Sequence, residues 1–498
     1  MTRPHAIPPA VPADPVDDVS AATAAPRRRR PDLDAVRRDP VTAVAWAALV
    51  IVTGWTLWGT LTHDFRSQEL VGDQSSPILQ TLSMAHSPHD LAYDVRDLQA
   101  WRALEWEHFP NPNGLYSQRW SGGWAFAKPY AYSLTTTPPY RVLGAPVGFA
   151  VVNSALLLAT VALVVAIART WLRGPAVPLL ALAFTFASNA HLHAYPIVVD
   201  LFLCVGTGLF ALGAVRYLER RHLGWGLVAF AAAAVLLSEK LPMLVALAPL
   251  GALVLARASW RDRAALVGVL VAVFAAAVVP YLHYSDGASW TAYGGERYYA
   301  YAQVPFDPDS TVEPLRVSTD ETITLAYIRE QLGTGLGDSA RSAVYYLVGR
   351  HVGLLVAFPV ALLVGILALA QPRRWRHEAV AAGLGILAYV GLYLLLFPDN
   401  FYGGGQAMGN RYFLQIAPLV VVVAAGARIP ERRLVGASIA AIALSLVLQW
   451  PHHVNPQEAL LELDRTTAVQ RWLPFESNQL GADYWRCGVG VCPADDDG

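Results

Sequence analysis

The sequence predicts an all-α polytopic membrane protein with about eleven transmembrane helices, and three observations carry that prediction. The 498-residue chain is 54% hydrophobic and only 15% charged, with a mean hydropathy of +0.36. That balance exceeds what a soluble globular chain needs. The apolar residues are gathered into runs, most near the ~20 residues a bilayer-crossing helix requires. Arginines recur in every second connection between those runs, as the positive-inside rule demands.

Residues 1–40 are rich in Pro, Ala and Arg without apolar periodicity, which predicts a disordered cytoplasmic N-terminus. RRRR at 27–30 then precedes the first apolar run, 41–61. A twin-Arg export signal is the alternative there. The long run without a small-residue cleavage site favours an uncleaved anchor. Further runs cover 142–168, 175–190, 195–217, 223–238, 241–256, 264–284, 352–370, 378–397, 412–426 and 433–449.

Arg169 and Arg173, Arg216, Arg220 and Arg221, Arg257, Arg261 and Arg263, Arg373, Arg374 and Arg376, and Arg428, Arg432 and Arg433 occupy alternate connections. All would be cytoplasmic, and an odd number of spans exports the C-terminus. A transmembrane core over 41–449 would then present outer loops 62–140 and 285–345 and an exported tail, 450–498. In that tail Cys487 and Cys492, within RCGVGVC, can form a disulfide in an oxidising compartment; a metal site without nearby His is the poorer reading. Cys204 lies in an apolar run and reads as small packing. A net charge of −1 gives no field for a nucleic-acid partner.

Function is expected on the outer face, where the polar sequence lies. Asp73, in LVGDQSSPILQ, follows the first run by about a dozen residues. SSPILQTLSMAH (75–86) predicts a short helix along the membrane surface, with Ser75 or Ser76 as N-cap and Pro77 in the first turn. DLQAWRALEWEH (97–108) predicts a second amphipathic helix, with Trp101, Leu104 and Trp106 at the interface. From position alone an ordinary helix cap is the reading of Asp73 to be preferred.

Cations on the outer side run against the topological bias. Lys240 opens the run at 241, Arg350 and His351 the run at 352, and Arg411 the run at 412. Placed where helices begin, they form candidate sites for a phosphate. Lys240 could instead pair with Glu239 or reach the headgroups, and Arg350 could bind lipid nonspecifically. Gly403, Gly404, Gly405 and Gly409 beside Arg411 would allow close backbone approach, or form only a tight turn. His191 and His193 read as surface residues rather than metal ligands. Asp200, a little more than a turn inside a run, needs a partner.

These features resemble the GT-C superfamily of integral-membrane glycosyltransferases. The resemblance spans about 41–450: GDQ after the first run, surface helices in the first outer loop, PPYRVLG before the second run, HAYPIVVDLF opening the fourth, and GNRYFLQIAPL late in the chain. The commoner Asp-Glu pair is replaced here by Asp73–Gln74.

The resemblance implies a sugar transferase using polyprenyl-phosphate donors in the inner membrane of a bacterium, with membrane lipids around it and a glycan, lipid or protein as acceptor. Asp73 would be the general base of an inverting displacement, with Asp94 and Asp97 as competing bases. Lys240, Arg350, His351 and Arg411 would hold the phosphate. Tyr195, Asp200, Trp290 and Tyr293 would meet sugar or acceptor. No protein metal ligands are assigned, and a divalent cation stays open as cofactor. A transporter or lipid flippase is the competing reading; against it, no inverted repeat is visible and Asp200 stands almost alone as an ionisable residue within a span.

Overall fold

The computed structural model describes residues 39–63, 74–87, 91–104, 116–120, 123–285, 287, 289–292, 297–299, 329–330, 335–371, 374–403, 409–456 and 466–478. Asp73, Tyr293, Cys487, Cys492 and the segment 1–38 lie outside them.

Helix α1 (Pro40–Thr62) begins at Asp39, whose carboxylate accepts from the Val41 N–H at 3.1 Å and from Thr42 Oγ1 at 2.5 Å. Thr42, Ala45, Leu49, Thr53, Thr56 and Thr60 form its buried stripe, whereas Val44, Ile51, Trp55 and Trp58 are exposed. The threonine hydroxyls bond back to their own helix, as Thr53 Oγ1 does to the Leu49 carbonyl at 2.6 Å. Polar atoms are thus satisfied internally and apolar surface faces outward, which a lipid-facing helix requires.

The next segment corrects an expectation. Helix α2 (Ser75–His86) is present, but ten of its twelve residues are buried, so it does not lie along a surface. Its N-cap is Gln74 rather than a serine. α3 (Val95–Ala103) is amphipathic, burying Asp97, Leu98 and Trp101; Trp101 is core, not an interfacial anchor.

A small sheet was not foreseen in an all-α reading. β1 (Tyr116–Trp120) pairs antiparallel with β2 (Gly123–Phe126) through Gln118 opposite Ala125, and later with β3 (Arg297–Tyr299) through Ser117 opposite Tyr298. The three strands come from the aromatic-bearing stretches YSQRW, GWAF and RYY, which have no helical periodicity. Aromatic residues suit a pleated, half-buried surface.

α4 (Ala131–Leu143) explains the burial of α2. The two helices run parallel: Ser133 Oγ donates to Gln80 Oε1 at 2.8 Å, Thr81 and Thr136 hydroxyls meet at 2.6 Å, and the Arg141 guanidinium donates to the Met84 and Ala85 carbonyls at 2.8–3.0 Å. Gln80 and Thr81 of α2 are thus bonded to a neighbouring helix rather than turned to a membrane surface.

The bundle continues through α5 (Val147–Trp171), α6 (Ala176–Thr185), α7 (Asp200–Arg220), α8 (Leu223–Glu239), α9 (Met243–Arg257) and α10 (Trp260–Tyr284). After β3 come α11 (Leu336–Val348), α12 (Leu354–Ala357), α13 (Pro359–Leu369), α14 (His377–Leu396), α15 (Arg411–Ile416), α16 (Pro418–Gly426), α17 (Glu431–Leu448) and α18 (Trp450–Val454). Among the described residues five helices are long and apolar enough to cross a membrane: α1, α5, α7, α10 and α14. The other predicted runs are also helical but shorter or broken. Pro359 divides the run at 352–370 and Pro418 divides that at 412–426, because proline lacks the N–H and clashes with the preceding turn. Beside the first break, the Gln449 side chain donates to the Val356 carbonyl and the Asn189 N–H to the Ala357 carbonyl at 2.9 Å. Breaks in a buried helix need such partners.

The arginine-bearing connections gather at one end. Arg173 N–H donates to Glu431 Oε1 at 3.1 Å, Arg376 N–H to the Gly426 carbonyl at 3.0 Å, and Arg221 to the Arg257 carbonyl at 2.5 Å. Arg376 also lies over the Trp171 ring, and Arg169 over Trp46 near the start of α1.

Candidate functional site

At the opposite end a polar cluster is built on helix starts. HAYPIVV (193–199) does not continue as helix, so Asp200 is the first residue of α7 rather than a turn inside a span. It is 3% exposed. Gln415, on α15, donates from Nε2 to Asp200 Oδ1 at 2.6 Å. The same amide accepts at Oε1 from Lys240 Nζ at 2.9 Å and from the Tyr389 hydroxyl at 3.3 Å. It therefore relays between a carboxylate and a cation.

Lys240 follows α8 and stands over the Tyr412 ring, 3.3 Å from its centroid, with Tyr393 at 5.4 Å. Glu239 turns away, its Oε1 accepting the first N–H of α4 from Ala131 at 2.8 Å. Arg411 opens α15, where Asn410 caps the helix through a 2.8 Å bond from the Phe413 N–H. Its Nη1 is 3.9 Å from Asp200 Oδ2, and its Nη2 donates to the Gly403 carbonyl at 2.6 Å. Gly403 (φ 99°) and Gly409 (φ 79°) occupy backbone conformations that favour glycine, so the turn needs them whatever it binds. His193 Nδ1 lies 4.0 Å from Asp200 Oδ2; burial holds its imidazole down at about 4, so it is a neutral member of the cluster. Buried Asp200 and half-buried Lys240 and Arg411 thus place two cations at the cluster's edge.

Arg350 and His351 are engaged elsewhere. Arg350 Nη2 donates to the Arg471 carbonyl at 2.8 Å, and its N–H to the Pro474 carbonyl at 2.9 Å. His351 and Val352 N–H groups donate to Glu476 Oε1 at 2.7 and 3.0 Å, and His351 Nδ1 to Oε2 at 3.0 Å. The His351 carbonyl, receiving the Gly409 N–H at 2.9 Å, connects this pair towards Arg411.

Asp94 and Asp97 form a capping box on α3: Asp94 accepts the Arg96 N–H at 2.8 Å, and Asp97 Oδ2 accepts the Asp94 N–H at 3.0 Å. The Arg96 guanidinium, 2.7 Å away, holds the Asp94 carboxyl below the ordinary carboxylate range. Tyr195 packs beside α1, edge-on to His63 at 5.8 Å, and Trp290 is exposed against Phe274.

His191 and His193 are buried, not surface residues. Asp73 directly precedes α2, whose Gln74 Oε1, Ser75 Oγ and Ser76 Oγ are buried without a hydrogen-bond partner among the described residues. Gln415 was missed by sequence reading. A lone amide in an apolar run, which must find a partner, was the signal available. Among the described residues no group of three or more His, Cys, Asp and Glu is arranged to hold a metal. No protein-family model matches the chain, and no curated protein matches it in sequence.

Proposed function

We propose that the chain is a membrane glycosyltransferase that moves a sugar from a polyprenyl-phosphate donor to a cell-envelope acceptor. The observation that carries this reading is the meeting of Lys240 and Arg411 around Gln415 and Asp200 at the end of the bundle opposite the arginines. Two half-buried cations there suit a leaving phosphate, which needs charge stabilisation more than a proton. An apolar groove of about 670 Å³ between α4, α8 and α10, lined by Leu134, Val235, Ser238 and Val279 and reaching the last turn of α8, suits a prenyl chain.

In this reading Asp73 takes the proton from the acceptor hydroxyl. The freed oxygen forms a bond to the anomeric carbon, and the bond to the phosphate oxygen breaks with its electron pair leaving on the phosphate. The eleven-span topology, with a cytoplasmic N-terminus, an exported C-terminus and a bacterial inner-membrane location, belongs to the same proposal.

The test is transfer of radiolabelled sugar from a panel of polyprenyl-phosphate donors, wild type beside Asp73→Asn, with and without a chelator. Turnover lost in the variant while donor binding is kept supports Asp73 as base. No turnover by wild type with any donor of the panel would put transport of envelope precursors on level terms with this reading.

A further inference from the structure

The segment 466–478 crosses back onto the bundle and ends in a carboxylate that occupies a prepared position. Glu476 is fully buried. It accepts from two consecutive backbone N–H groups, His351 and Val352, and from the His351 ring. Successive N–H groups turned towards one point form an anion-binding nest. Gly349 keeps that point open, since a Cβ there would collide with Glu476 Oε1 and with the Tyr345 carbonyl. Its φ is −60°, so space rather than backbone strain requires glycine.

Around the nest the segment is held by side-chain bonds of a different kind. Arg350 reaches the Arg471 and Leu473 carbonyls, Gln470 Nε2 donates to the Arg350 carbonyl at 2.8 Å, Tyr345 and Ser477 hydroxyls meet at 3.2 Å, and Asn478 Nδ2 donates to Ser342 Oγ at 3.2 Å. Arg471, Trp472, Pro474 and Ser477 are exposed. The strap is therefore thin: Glu476 and Gln470 are its buried polar side chains among the described residues, and Leu473 and Phe475 pack partly buried on the core.

We propose that residues 349–352 form a phosphate-binding nest that the chain's own Glu476 keeps closed, and that a phosphate-bearing ligand exchanges with this carboxylate and releases the strap. A phosphate oxygen can accept the same three donors, and the Arg350 guanidinium freed from the strap carbonyls adds a cation beside it. The nest borders the Arg411 turn through the Gly409–His351 bond, so unlatching would open that flank of the cluster. The inference rests on the preceding reading only in taking phosphate as the ligand.

Hydrogen–deuterium exchange tests it on the full chain in phosphatidylcholine nanodiscs, read in peptides covering 345–358 and 466–478. Inorganic phosphate is added in one arm, and phosphatidic acid is built into the nanodisc in another. Faster exchange of 466–478 with protection kept at 351–352 is expected in wild type. A response to the free ion alone assigns a soluble phosphate, and a response to the lipid alone assigns a headgroup. Glu476→Gln should lower the phosphate concentration at the midpoint by about tenfold, because charge-assisted bonds hold the latch. If strap exchange ignores both phosphates in wild type, the nest is a fixed strut and the proposal is wrong, however the variant folds. Sugar transfer is not measured here. Absent turnover with an intact phosphate response would remove the proposed function and leave the nest standing.

Discussion

At the residue scale, buried polar groups at the site are joined in chains whose proton positions follow from the partners. Ser445 donates to His453 Nε2 at 2.9 Å, His453 Nδ1 to His191 Nε2 at 3.2 Å, and His191 Nδ1 to the Ser188 carbonyl at 2.8 Å. Both imidazoles must be neutral for this order to hold. Burial pushes His191 down to about 3 and His453 to about 4, from an ordinary 6.5. The unfolded chain therefore binds more protons between these values, and stability rises with pH there. We expect full stability above about pH 6.5, lost progressively as pH falls towards 4, with His453→Asn flattening the profile. Identical acid profiles for wild type and variant would contradict the pairing. The Gln415 relay gives a second residue-level expectation. Gln415→Leu leaves Asp200 without its 2.6 Å donor and should lower stability by about 1.5–3 kcal/mol, read as the denaturation midpoint in detergent.

At the element scale, the first loop is organised by helix ends rather than by a membrane surface. Arg141 supplies three bonds to the last carbonyls of α2, groups no helix can satisfy for itself. Arg141→Ala should therefore release the end of α2, with faster amide exchange over 82–87 and a loss of about 1–2 kcal/mol. An unchanged exchange pattern would assign α2's order to apolar packing alone. Asp94 and Asp97 are bound into the start of α3. Asp94→Ala should lower stability by about 1 kcal/mol through the lost cap while leaving sugar transfer intact. A variant that is stable but inactive would return Asp94 to the list of bases.

At the scale of the whole molecule, the two ends of the bundle differ in chemistry. The arginine-bearing alternate connections gather at one end, and the Asp200 cluster and the 466–478 strap occupy the other. The orientation proposed from the positive-inside rule puts the end that carries the alternate connections in the cytoplasm. With Cys204, Cys487 and Cys492 replaced by Ser, an impermeant maleimide should label Ala468→Cys on intact cells, and Ser259→Cys only after permeabilisation. Both positions are exposed, so access to solvent is not the variable. The opposite labelling would turn the protein over and move the site to the cytoplasm.

By itself the sequence determined where the apolar helices lie, because mean hydropathy and arginine alternation are local properties that a bilayer enforces segment by segment. It also marked Lys240, Arg411 and Asp200 as charges in need of partners. It could not say that Gln415 would join them, since residues 200, 240 and 415 meet only when α7, α8 and α15 pack. The same limit explains α2. Its Gln80 and Thr81 look solvent-bound in one dimension, and only α4 alongside supplies the Ser133 and Thr136 hydroxyls that meet them. Arg350 and His351 show the limit most clearly: their partners, the Arg471 and Leu473 carbonyls and the Glu476 carboxylate, lie more than 120 residues further along the chain. Long-range partners of buried polar groups are a property of packing, and packing is what a single sequence does not display.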